Sequence, residues 1–115
     1  MGDCIFCKIA KEEILTKKIY ENENFFSIPD ANPLTKGHSL VISKKHFQNF
    51  LDLPNTLASE CFDCVKKTTE ILLSDKSIEG FNIVSNNFEV AGQVVNHVHF
   101  HILPRRKSDG LKIFS

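Results

Sequence analysis

The sequence predicts an α+β fold: a mostly antiparallel five-stranded sheet with one long helix and a short N-terminal helix. Three observations carry this prediction. Five short segments rich in β-branched and aromatic residues are separated by turn-forming residues. One stretch, starting at Leu57, places apolar or small residues three and four apart at Cys61, Cys64, Val65, Thr68, Ile71 and Leu72. The strands sit at hairpin spacing around that helix instead of alternating with helices. A chain of 115 residues can bury one core but not two, so residues 1–115 are expected to form a single domain.

The elements follow in order. Residues 4–10, Cys4-Ile5-Phe6-Cys7-Lys8-Ile9-Ala10, read as a short helical turn. Lys18–Glu21 is a strand, Asn22-Glu23-Asn24 a turn, and Phe25–Ile28 a strand paired back on the first. Pro29–Gly37 is a loop with two prolines and a terminal glycine. His38–Ser43 is the third strand, ended by Lys44-Lys45-His46. Pro54-Asn55 opens the long helix with Asn55 as N-cap. The helix runs to about Leu73, where Ser74, Asp75, Ser77 and Gly80 break it. Phe81–Ser85 is the fourth strand, and Asn86-Asn87 begins a loop that carries Ala91-Gly92-Gln93. His97–Leu103 is the fifth strand, and Pro104–Ser115 is polar and irregular.

The fifth strand is the richest in chemistry. Side chains alternate between the faces of a strand, so His97, His99 and His101 share one face while Val98, Phe100 and Ile102 share the other. Same-face neighbours are about 7 Å apart at the root, close enough to share one metal or one phosphate. Clustered titratable groups in fixed geometry point to a site.

Formal net charge is zero, which predicts no nucleic-acid partner and no membrane partner. No apolar run reaches membrane-spanning length. The start Met1-Gly2-Asp3-Cys4 lacks a basic segment and an apolar signal core, so a cytoplasmic protein is expected, with a nuclear location also open. Ten phenylalanines, one tyrosine and no tryptophan predict a Phe-rich core. The four cysteines form two CxxC pairs. Cys61 and Cys64 fall on the buried stripe of the helix and read as core. For Cys4 and Cys7, spacing alone leaves metal ligation and a plain apolar turn both open.

The run His97-Val98-His99-Phe100-His101-Ile102-Leu103 resembles the signature of the histidine triad family of nucleotide-binding proteins. Cys4–Ile9, Pro29-Asp30-Ala31-Asn32-Pro33, Gly37–Ile42, Lys44-Lys45-His46 and Ala91-Gly92-Gln93 resemble family segments in the same order. The small phosphoramidase-like branch is the most similar. The resemblance implies a purine-nucleotide hydrolase or transferase that works at the α-phosphorus through a covalent nucleotidyl-histidine. Adenosine phosphoramidates are the first expected substrates, with dinucleoside polyphosphates next.

By that resemblance His99 is the nucleophile. His101 stabilises the developing charge, and the Gln93 amide contacts the phosphate or leaving group. Asp30 binds the ribose hydroxyls. Ile5, Phe6, Ile9 and Ile28 line the base pocket, while Asn86, Gly92 and Val94 belong to the phosphate and sugar region. Cys4, Cys7, His46 and His97 hold a structural Zn2+, and a homodimer is implied. One departure matters: related phosphoramidases carry a serine directly after the glutamine, and here that position is Val94, which has no proton to give. The ending Leu103-Pro104-Arg105-Arg106 also resembles the dinucleoside-polyphosphate-hydrolysing branch. His38 receives no role. Two other readings stand beside this one: a metal-dependent hydrolase using the three histidines, and a non-catalytic nucleotide-binding or scaffold protein.

Overall fold

Two apolar faces, not one, shape the sheet. The computed structural model describes residues 4–113. Its strands are β1 (Tyr20–Glu21), β2 (Phe25–Pro29), β3 (Ser39–Ser43), β4 (Gly80–Val84) and β5 (His99–Arg105), and its α-helices are α1 (Ile5–Ala10) and α2 (Ala58–Leu72). They form the expected five-stranded sheet, in the order β1-β2-β3-β5-β4, with every neighbouring pair antiparallel.

On one face Phe25, Val41, Val98, Phe100 and Ile102 pack against Cys61, Cys64 and Val65 of α2. On the other, Phe26, Ile28, Leu40 and Ile42 pack against Phe6 and Ile9 of α1. Coverage on both sides explains why β2 and β3 read as continuous apolar runs instead of alternating ones. Cys61 and Cys64 are core residues, as their helical spacing predicted. Burial pushes their thiols up to about 11 and about 12, so both stay protonated.

Several boundaries moved. Asn55 does not cap the long helix. It lies in a 3-10 turn, Asn55–Leu57, that precedes α2, and no side chain caps either start. The capping asparagine is Asn49, whose Oδ1 accepts from the Leu51 amide at 2.9 Å ahead of the 3-10 turn Phe50–Asp52. β5 begins at His99, because His97 N–H turns to the Val95 carbonyl and Val98 N–H to that of Phe47. Only Tyr20 and Glu21 of the predicted first strand pair with β2. The register is tight where it matters: Ile42 lies opposite His99, and Leu40 opposite His101.

Candidate functional site

Helix α1 builds two sites at once. Its N-cap is Cys4, whose Sγ accepts from the Cys7 amide at 3.4 Å. One side of this turn carries Cys7 towards His46 and His97. The other carries Ile5, Phe6 and Ile9 into a cavity of about 530 Å3. A six-residue helix is too short to be stable alone, so these contacts hold it in place.

The first cluster joins Cys4, Cys7, His46 and His97, whose ligand atoms all lie within 4.8 Å of one another. Cys7 Sγ is 3.2 Å from His46 Nδ1, Cys4 Sγ is 3.3 Å from His97 Nδ1, and the two Nδ1 atoms are 3.2 Å apart. A zinc tetrahedron with bonds of about 2.0–2.3 Å separates its nitrogen and sulfur corners by roughly 3.3–3.8 Å. The fit extends to the ring of His97. Its Nε2–H donates to the Ser43 carbonyl at 2.7 Å, which leaves the Nδ1 lone pair free to face the cluster. Burial lowers His97 to about 4, so it stays neutral, as ligation requires.

The second cluster lies inside the cavity. His99 Nδ1–H donates to the His97 carbonyl at 2.7 Å, which assigns its free lone pair to Nε2. Phe6 stands edge-on to both His97 and His99, with ring centroids 5.7 and 5.1 Å away. Burial lowers the basicity of His99, and takes His101 down to about 4 with help from the charges of His99 and His38. Both rings are therefore neutral near pH 7.

His38 is the residue that sequence reasoning left without a role. Its Nδ1 accepts from the Leu34 amide at 3.0 Å, so its proton sits on Nε2. That Nε2 lies 2.9 Å from His101 Nδ1 and 3.3 Å from Asp30 Oδ2. His101 must then accept at Nδ1 and carry its own proton on Nε2. Part of the signal was in the chain: His38 is two and four residues from Leu40 and Ile42, so period two puts it on their face, and the β3–β5 register adds His99 and His101 to that face.

Asp30, His38 and His101 are also near enough to one another to be considered as metal ligands. The Leu34 contact argues otherwise. A metal on His38 Nε2 would move the proton to Nδ1, directly against the Leu34 N–H. Nor do the three signature histidines converge on one ion: among the described residues, no candidate metal group contains all three.

Ile5, Phe6, Ile9, Ile28, Asp30, Val94, His99 and His101 all line the cavity, joined by Ile14, Thr16 and Leu34. The apolar members form a slot suited to a flat aromatic base. Asp30 Oδ1 accepts from the Asn32 amide at 2.8 Å, which leaves Oδ2 directed at His38. Three expected members stand apart from this wall. Gln93 is 6% exposed and spends its side chain on backbone, accepting from Phe88 N–H at 2.8 Å and donating to the Gln48 and Val95 carbonyls. Asn86 and Gly92 face each other across the same loop, where a Cβ on Gly92 would lie 3.7 Å from Asn86 Nδ2. Arg105 forks onto Asp109 and reaches Asn82, while Arg106 holds Asp75, Ser77 and the Lys36 carbonyl. Neither arginine lines the cavity. Among the described residues, no helix is long and apolar enough to cross a membrane.

The HIT domain profile matches residues 11–108. An uncharacterised HIT-like protein of Methanocaldococcus jannaschii is 50% identical over 107 residues, covering 93% of this chain and 82% of the relative. An adenosine 5'-monophosphoramidase of Candida albicans is 39% identical over 109 residues, covering 91% of this chain and 72% of the relative. A zinc-bound histidine triad family protein from Mycobacterium smegmatis superimposes with a TM-score of 0.88 at 34% identity, covering 97% of this chain and 81% of that one. The chain belongs to the HIT domain family.

Proposed function

We propose that this protein is a purine-nucleotide hydrolase or transferase that attacks the α-phosphorus through a covalent nucleotidyl-His99, with adenosine phosphoramidates as first substrates. The observation that carries this reading is the hydrogen-bond pair that orients the two cavity histidines. His99 donates from Nδ1 to the His97 carbonyl, and His101 accepts at Nδ1 from His38. A lone pair on His99 Nε2 and an N–H on His101 Nε2 are thereby available to one phosphate.

The chemistry follows from these two atoms. His99 Nε2 bonds to phosphorus as the bond from phosphorus to the leaving nitrogen or oxygen breaks, and the electron pair departs with that group. The His101 N–H bonds a non-bridging phosphate oxygen as its charge grows. An amine leaves with a proton from the water that next attacks phosphorus. That water's oxygen takes the phosphorus, the Nε2–P bond pair returns to His99, and a nucleoside monophosphate is released. Asp30 Oδ2 and the apolar slot of Ile5, Phe6, Ile9 and Ile28 hold ribose and base. The match to an adenosine 5'-monophosphoramidase supports the substrate class.

Cys4, Cys7, His46 and His97 are the proposed ligands of a structural zinc, supported by their donor set and by the zinc-bound relative. Bound there, the ion would cross-link the start of α1 to the turn after β3 and to the segment that leads into β5. The proposed assembly is a symmetric dimer through the edge strand β4, supported by exposed Phe81 and Ile83 on that edge and exposed Phe62 on α2. The enzymatic reading is tested with a panel of adenosine and guanosine phosphoramidates and dinucleoside polyphosphates on purified protein. Release of nucleoside monophosphate supports it. Tight AMP binding without turnover of any member favours a binding module instead.

A further inference from the structure

The fold gives the two CxxC pairs opposite surroundings. Cys61 and Cys64 are buried in α2 against the sheet and remain thiols. Cys4 and Cys7 stand at the start of α1, where the Lys8 amide donates to the Cys4 carbonyl at 3.1 Å, so the pair spans one helical turn. Their sulfur atoms lie within 4.8 Å of each other. Cys4 precedes the helix on extended backbone, with φ −74° and ψ 112°. It is half-buried and lines, with His46, an open cavity of about 540 Å3, whereas Cys7 is 7% exposed. The same short helix carries Ile5, Phe6 and Ile9 into the cavity of His99 and His101. His97 joins the two clusters as well, since its Nδ1 faces the sulfur atoms while its carbonyl accepts from His99 Nδ1–H.

We propose that Cys4 and Cys7 form a thiol–disulfide switch: hydrogen peroxide oxidises the pair, the zinc is released, and the α1 wall of the nucleotide cavity loosens. The proposal rests on the zinc and nucleotide readings above. Cys4 reacts first, because it faces the open cavity. Its thiolate attacks one peroxide oxygen and the O–O bond breaks, leaving a sulfenic acid on Cys4 and a hydroxide that takes a proton to become water. The Cys7 thiolate then attacks the Cys4 sulfur, the S–O bond breaks, and a second hydroxide leaves and takes a proton. Two thiolates, one peroxide and two protons thus become one disulfide and two waters, with the sulfur atoms giving up the two electrons that the peroxide gains. His46 and His97 remain as two donors of the original four, too few for a structural zinc site. The disulfide ties α1 to itself, where the metal tied it to His46 and His97. A six-residue helix is marginal alone, so Ile5, Phe6 and Ile9 lose their fixed place against the base.

The test treats the zinc-loaded chain with hydrogen peroxide, then with dithiothreitol and zinc. Four quantities are read: zinc released to a chromogenic chelator, cysteine linkage by mass spectrometry of alkylated peptides, hydrogen exchange of residues 5–10, and AMP affinity by calorimetry. One Cys4–Cys7 disulfide is expected per zinc released, with exchange in α1 faster and AMP affinity weaker by about tenfold each. All four readings are expected to return on reduction with zinc, and Cys61→Ala is expected to behave as wild type. Zinc loss with Cys4 and Cys7 still open to alkylation, or with Cys4 ending as a sulfinic acid, overturns the disulfide. A Cys4–Cys7 disulfide with unchanged exchange in α1 overturns the coupling. If the chain takes up no zinc, yet the disulfide forms and α1 loosens, the switch stands and the zinc reading falls. If the reduced chain binds no AMP, the nucleotide reading falls and exchange in α1 still decides the switch.

Discussion

Lowering the pH from 7 to 5 should destabilise the wild type more than His101→Asn, and the size of that difference follows from the cavity. Burial, reinforced by the charges of His99 and His38 and opposed by Asp30, lowers His101 from 6.5 to about 4. Between those two values the unfolded chain binds a proton that the folded chain refuses, so stability falls as pH drops through this window. The full gap is worth about 3 kcal/mol, of which about 2 kcal/mol is lost by pH 5. Asparagine is the suitable replacement because its Oδ1 can stand where Nδ1 stood and accept from His38 Nε2–H. With no tryptophan and one tyrosine, urea unfolding is best followed by far-UV circular dichroism at both pH values, on samples matched for zinc. Acid weakening of the cysteine–histidine cluster affects both proteins alike and cancels in the comparison. The wild type should lose about 2 kcal/mol more than His101→Asn. Equal losses, at equal m-values, would refute the claim that His101 is held neutral by burial in this cavity.

Three further outcomes are expected. Protein purified without chelator should contain one zinc per chain, lost in the Cys4→Ser/Cys7→Ser double variant and retained in Cys61→Ala; elemental analysis decides this. Light scattering after size exclusion should give about twice the 13.1 kDa chain mass, and Ile83→Asp, which puts a charge on the exposed edge strand, should give the monomer. Gly37→Ala should lower stability by about 1–3 kcal/mol in urea unfolding, because Gly37 has a φ of +92° and an added Cβ would lie 3.1 Å from Pro104 Cγ; a change within error contradicts the packing described for that turn.

Much of this fold was legible because period and punctuation agreed. The alternation from His97 to Ile102 separates a histidine face from the face under α2, and the helical spacing of Cys61, Cys64 and Val65 marks them as core. What stayed hidden was side-chain direction. Gln93 sits beside the site in sequence, yet its amide faces the backbone of residues 48, 88 and 95, since a loop with so few backbone partners needs a side chain to close it. His38 was missed for the opposite reason. Its role depends on the β2–β3 hairpin, which returns residue 38 to Asp30, and on β5 lying beside β3. Neither pairing can be read from residue 38 itself. Asn55 failed as a cap because the 3-10 turn before α2 uses up the start that an asparagine would otherwise have capped.

The central claim is that His99 forms a bond to the α-phosphorus. The most direct test is rapid acid-free quenching of wild type with adenosine phosphoramidate, followed by mass spectrometry of the intact chain and its peptides. The account predicts a transient, acid-labile adenylyl adduct on the peptide carrying His99. It also predicts no adduct in His99→Ala, with turnover reduced by several orders of magnitude. An adduct on another residue, or turnover in His99→Ala close to that of wild type, would contradict it.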